Sequence, residues 1–224
     1  MKNLLHLFVA VATMMLFVPA ASADWEDNFD SYALNSGLHG QGNWEGWNND
    51  PAFDAYVTDV YSYSSPHSVA ITPTSDIVQP FSENSGEWVM TSWHYIPSGS
   101  TGDQYWILCN TYPTAYSEDW SLQLKFESAT GNMTIMEGST VTPIIYDLWV
   151  EVKAEINLDT DTQDVYYNGV FLESLNWSSG GAIAIGCLDL FSDGGSTIYW
   201  DDCSLIGVGA LEQTTWGQIK TLLY

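Results

Sequence analysis

Arginine is absent from this chain of 224 residues, and lysine occurs only 4 times against 28 Asp and Glu, for a formal net charge of -24. A surface this poor in cations cannot displace counterions from a nucleic acid or neutralise an anionic membrane, so neither is expected as a partner. Phosphate clamping by paired guanidinium groups is excluded on the same ground. Cysteine is scarce too, with only Cys109, Cys187 and Cys203. An odd count leaves at least one of them unpaired in a monomer. No C-x-x-C or H-x-x-x-H spacing supports zinc, and no adjacent His or cation would favour a thiolate nucleophile. After residue 23 no apolar run reaches the roughly 18 residues of a spanning helix, so membrane insertion is not expected. Helical periodicity is missing until the last residues of the chain.

Apolar and aromatic residues are plentiful. The chain is 46% hydrophobic and only 14% charged, with 11 Trp, 13 Tyr and 8 Phe. That is the composition of a folded domain rather than of a disordered acidic chain. At the start, Lys2 precedes the apolar run Leu4 to Val18, then Pro19 and Ala21-Ser22-Ala23. Charged, apolar and small-residue regions in this order define a secretory signal peptide, here residues 1–23, with cleavage expected after Ala23. The expected location is therefore secreted or at the cell surface.

From Asp24 onward the pattern is of short alternating runs separated by Gly, Pro, Asn, Asp and Ser. Val150, Val152, Ala154 and Ile156 alternate with Glu151, Lys153, Glu155 and Asn157, as in a strand buried on one side. Trp120, Leu122, Leu124 and Phe126 alternate in the same way with Ser121, Gln123, Lys125 and Glu127. Asn168-Gly169 is the strongest short hairpin signal, because both central residues of a type I′ turn need positive φ. A last hairpin is expected around Asp193-Gly194-Gly195, setting Cys187 opposite Trp200 and Cys203 opposite Ala184. A disulfide is left open by this reading. Short strands without covering helices predict an all-β fold, a two-sheet antiparallel β-sandwich of the jelly-roll kind, over residues 24–207. Residues 208–224 form a tail in which Leu211, Thr215, Trp216, Ile219, Leu222 and Leu223 have the spacing of a short amphipathic helix.

Three stretches carry a family resemblance. Trp149-Val150-Glu151-Val152 with Asp159 and Val165-Tyr166-Tyr167-Asn168-Gly169-Val170 resembles a hairpin of laminin G-like domains and related concanavalin A-like lectin and glucanase jelly rolls. Asp27-Asn28-Phe29-Asp30-Ser31-Tyr32 and Ile198-Tyr199-Trp200-Asp201-Asp202-Cys203-Ser204-Leu205 are similar to the opening and closing strands of secreted bacterial jelly-roll modules, carbohydrate-binding ones included. The resemblance implies a structural Ca²⁺ where these strands meet, on Asp30 and Asp202 and, less directly, on Asp27 and Asp201. Oxygen-only ligands suit that hard cation.

Glucanases of this kind carry an E-x-D-x-x-E strand motif, which is absent here. Glu151 and Glu155 share a face, but Lys153 stands between them. No catalytic residue is therefore assigned, and a non-catalytic module binding an extracellular glycan or cell-surface partner is expected. Aromatic platforms and polar groups for sugar are supplied by Trp93, His94 and Tyr95, by Tyr105, Trp106 and Asn110, and by Gln123 with Lys125. Alternation does not choose which of these face outward, since both faces of the strands are apolar. A structural or adhesive protein without a sugar site is the alternative reading, and a polysaccharide hydrolase or lyase the third.

Overall fold

A computed structural model describes residues 24–113 and 119–209. The expected signal peptide and the tail helix lie outside the described residues. Two antiparallel sheets make the fold. The first contains β1 (Trp25–Asp27), β3 (Tyr56–Thr58), β4 (Ser68–Ile71), β6 (Glu87–Tyr95), β11 (Trp149–Asn157), β12 (Thr162–Tyr167), β13 (Val170–Asn176) and β15 (Ile198–Gly207). The second contains β2 (Glu45–Gly46), β5 (Asp76–Glu83), β7 (Asp103–Cys109), β8 (Trp120–Glu127), β9 (Asn132–Ile135), β10 (Val141–Pro143) and β14 (Ile185–Asp193). Their orders are β13-β12-β11-β6-β15-β4-β3, with β1 also on β15, and β10-β9-β8-β7-β14-β5-β2. Among the described residues no helix is long and apolar enough to cross a membrane.

The inner faces form one core between the sheets. Val150, Val152, Ala154 and Ile156 of β11 point into it, as their alternation predicts, and meet Leu122, Leu124 and Phe126 of β8 in the same cluster. Trp106, Trp177 and Trp200 are among its largest fully buried side chains. Asn168 and Gly169 take φ of 50° and 73°, the left-handed pair that the β12–β13 hairpin needs. The two ends of the domain close together, with Asp27 opposite Cys203 and Trp25 opposite Leu205.

Two local expectations are corrected. β14 and β15 form no hairpin, because β14 is central in the second sheet, with β5 and β7 on its two edges. The Asp193-Gly194 turn instead carries the chain across to the first sheet. Cys187 therefore faces Cys109, and Cys203 faces Asp27. The second correction concerns β8. Its register against β7 shifts between Leu108 and Cys109, so that Leu122 pairs with Leu108 but Trp120 pairs with Cys109. Ser121 is the extra residue, and this bulge turns Trp120 out of the core.

Candidate functional site

The outer face of the second sheet is built in rows across its strands. Val78, Asp189, Ile107 and Gln123 make one row, from β5, β14, β7 and β8. Asp76, Phe191, Tyr105 and Lys125 make the next. On the other side lie Pro80, Cys187, Cys109 and Trp120. A small apolar cluster of Val78, Ile107, Cys109 and Cys187 forms the floor, with Trp47, Tyr105, Tyr112, Trp120 and Phe191 packed against it and only partly covered.

Above this floor is a cavity of about 370 Å³, walled by Trp47, Tyr105, Trp120 and Phe191 and reached by Asp76, Asp189 and Gln123. Tyr105 and Phe191 stack at 5.4 Å, and Trp47 meets Tyr112 edge-on at 5.5 Å. Trp47 is carried by a short 3₁₀ turn, whose Asn48 amide donates to the Tyr112 hydroxyl at 3.0 Å. Gln123 is oriented from behind, its side-chain amide donating to Glu137 Oε1 at 2.7 Å. Lys125 is tied to Asp103 at 2.7 Å and to Glu127 at 3.3 Å.

The electrostatic centre is the carboxyl pair. Asp189 is only 3% exposed. Burial, reinforced by the negative charge of Asp76, holds it well above the usual carboxylate range. Burial likewise pushes Asp76 up to about 6, while its hydrogen bond to Asp189 pulls the other way. Two acids in hydrogen-bond contact do not both ionise, so near neutrality the pair holds one proton between them. Asp76 Oδ1, Asp189 Oδ1 and the Trp120 indole N–H are buried with no hydrogen-bond partner among the described residues. All three side chains line the cavity.

The structure distributes the eight sequence-predicted ligand residues over several places. Tyr105 and Gln123 line the cavity, and Lys125 stands on the same face beside Tyr105. For His94 and Trp106 the expectation is corrected, since both are fully buried between the sheets. His94 stacks on Trp200 at 5.2 Å, and Trp106 donates to Ser92 Oγ at 3.0 Å. Asn110 is buried beyond the end of β7 and donates to the Ser178 carbonyl at 3.0 Å. Trp93 and Tyr95 lie on the outer face of the other sheet, where Trp93 stacks on Tyr63 at 3.9 Å and Tyr95 on Tyr61 at 4.2 Å. Asp76, Asp189, Trp47, Trp120 and Phe191 were missed. The signal for Asp189 is an acid inside the apolar run Cys187-Leu188-Asp189-Leu190, and nothing local announces the other four.

The four acids named for calcium sit near the seam of β1 and β15. Asp27 accepts from the Tyr32 hydroxyl at 2.6 Å, the Trp44 indole at 2.8 Å and the Phe29 amide at 2.9 Å. Asp201, fully buried, accepts from the amides of Tyr63, Asp202 and Ser64 at 2.7, 2.8 and 3.1 Å. Burial lifts Asp201 to about 7 against the pull of these donors. Asp30 accepts from the His67 amide at 2.9 Å, and Asp202 from the Ser64 hydroxyl at 2.7 Å. Asp27 and Asp202 also line a cavity of about 720 Å³ with Tyr32, Ser64 and Trp93. Among the described residues no group of three or more His, Cys, Asp or Glu side chains is gathered as metal ligands.

No protein-family model matches the sequence, and a search of curated proteins finds no relative. Solved structures share its fold. A sialidase superposes with a TM-score of 0.58 at 12% identity over 84% of this chain, which spans only 19% of the sialidase's length. The catalytic domain of the glycoside hydrolase family 131 protein from Coprinopsis cinerea gives 0.54 at 14% identity, covering 83% of this chain and 98% of that domain. Crh5 transglycosylase gives 0.50 at 11% identity, covering 84% and 85%. At these identities the likeness is one of fold, an antiparallel β-sandwich.

Proposed function

We propose that the protein is an exported β-sandwich module that binds a neutral extracellular glycan in the cleft on the outer face of the second sheet. One observation carries this reading: one oxygen of each carboxyl in the Asp76–Asp189 pair and the Trp120 indole N–H, buried and without a partner among the described residues, converge on a cavity walled by four aromatic rings. A proton-sharing pair both donates and accepts, which matches sugar hydroxyls, while aromatic rings cover the C–H faces of a pyranose. Lys125, the only cation on this face among the described residues, is neutralised by Asp103 and Glu127, which does not favour an acidic sugar. The carbohydrate-active proteins that share the fold support the same class of ligand. So do the resemblance to laminin G-like and concanavalin A-like modules and the signal-peptide pattern of residues 1–23.

Binding is favoured over hydrolysis by the coupling of the pair. Glycosidic cleavage uses two carboxyl groups that act separately from the two sides of the bond, whereas Asp76 and Asp189 are coupled to each other. Calorimetric titration with neutral oligosaccharides from glucans, xylans, mannans and galactans tests the reading. Trp120→Ala is expected to weaken a ligand by about tenfold or more. Full affinity in that variant, or no neutral glycan bound by the folded protein, removes the cleft assignment, and release of reducing sugar would favour the hydrolase.

The proposal also carries a structural Ca²⁺ at the β1–β15 seam, drawn from the resemblance alone. Asp27 and Asp202 line the seam cavity, and all four acids already accept protein hydrogens that an ion would have to share. A native-state ion at a hundred times its dissociation constant stabilises by about 2.7 kcal/mol. The melting midpoint is accordingly expected to rise between EDTA and millimolar calcium. An unchanged midpoint deletes the ion from the proposal.

A further inference from the structure

We infer that Cys109 and Cys187 are joined in the exported protein by a cross-strand disulfide that clamps β7 to β14 beneath the cleft. The inference rests on the export proposed above for its oxidising surroundings, and on the fold for its geometry. Cys187 of β14 is the direct antiparallel partner of Cys109 of β7. Directly opposed residues have Cα atoms about 4.5–5.5 Å apart, inside the range of about 4.4–6.8 Å that a disulfide spans. Both side chains are fully buried in the same small apolar cluster, so both point to the same side of the sheet. Cys203 is on the other sheet, opposite Asp27, and is no competitor.

As a thiol pair this arrangement has no other evident chemistry. Burial and the facing Cys109 thiol push the Cys187 thiol up, away from the thiolate that a nucleophile or metal ligand requires. Forming the link breaks two S–H bonds and makes one S–S bond. The two electrons and two protons pass to an external disulfide, either an oxidised small thiol or a disulfide oxidase, whose own S–S bond opens to two thiols. Attack must occur before the cluster closes or while it is transiently open, after which the bond is shielded from reductant.

The link ties two strands that are far apart in sequence, so its loss enlarges the unfolded ensemble and lowers the melting point. It also holds the floor on which Trp120 and Asp189 are set, since Trp120 pairs with Cys109 and Asp189 follows Cys187 by two positions.

The test uses the full chain, exported and also refolded with oxidised glutathione. Denatured without reductant, alkylated and digested, it is expected to yield one peptide pair linked through Cys109 and Cys187, two hydrogens lighter than the free peptides. Cys203 alone should be alkylated. Reductant should then lower the melting midpoint by about 5–15 °C in the wild-type protein, and leave the Cys109→Ala/Cys187→Ala variant unmoved. Alkylation of all three cysteines in the glutathione-refolded protein, or a link through Cys203, overturns the inference. Because the refolded arm needs no export, a link there with free thiols in the exported sample would count against the compartment and not against the pairing. Glycan binding is read separately, so its failure leaves the outcome for the cysteines intact.

Discussion

Asp189→Asn should make the protein more stable at pH 8, by about 1–3 kcal/mol or about 2–10 °C in melting temperature, and no more stable at pH 4. Asp189 and Asp76 both titrate higher in the folded protein than in the unfolded chain. The stability they confer is therefore complete below their unfolded values, near pH 4, and declines as pH rises. Up to about 6, where Asp76 ionises, the folded protein keeps two protons that the unfolded chain has released. Beyond that it keeps one, and each retained proton is worth at most about 1.4 kcal/mol per pH unit. Asparagine supplies a donor and an acceptor without a titration, so Asp76 can ionise beside it with a hydrogen bond in place. Thermal melts of both proteins from pH 4 to pH 9 check this. A difference that does not change with pH would mean that no proton is held by the pair. Holding this pair on the neighbouring strands β5 and β14 lowers stability at neutral pH, as buried titratable groups at functional sites commonly do.

On the acid side the dominant group is His94, and His94→Leu should shift the acid unfolding midpoint downward while leaving stability at pH 7 equal or higher. The ring is enclosed by Trp200, Phe126 and Tyr167 at centroid distances of 5.2, 4.7 and 5.6 Å. Neither of its nitrogens has a hydrogen-bond partner among the described residues. Complete burial lowers its titration from 6.5 to about 3. The sign is opposite to that of the aspartates: stability is intact above 6.5 and is lost as pH falls toward 3, by up to about 1.4 kcal/mol per unit. Between pH 4 and 6.5 the histidine and the carboxyl pair oppose each other. One histidine proton offsets only one of the two held by the pair, so the wild-type curve is expected to fall gently there, more steeply without His94 and less steeply without Asp189. Leucine replaces two unsatisfied polar atoms by apolar surface, an exchange that is close to neutral in a well-packed site. Severe destabilisation at pH 7, with the acid midpoint unchanged, would show that the imidazole is bonded rather than merely enclosed.

Much of the sandwich was legible in the residues themselves. The alternation of Val150 to Asn157 marked a strand with one buried side, Asn168-Gly169 marked its hairpin, and the lack of helical period before the tail left sheets as the only packing. The cleft was half legible. Tyr105 and Gln123 were chosen for their chemistry and do line it, but Trp106 and His94 had the same chemistry and face inward. Alternation says that neighbours point apart; it says nothing of which side is wet when both sides are apolar.

Composition and period two by themselves determined the all-β class and most strand positions, because these follow from where apolar residues repeat along a single strand. Tertiary structure decided the rest. The pairing of β14 with β7 rather than with β15 brings Cys187 to Cys109. The flanking of β14 by β5 sets Asp189 against Asp76, and the unpaired Ser121 turns Trp120 toward them. Each of these is a relation between strands distant in sequence, set by how two whole sheets share one core, and no local pattern encodes it.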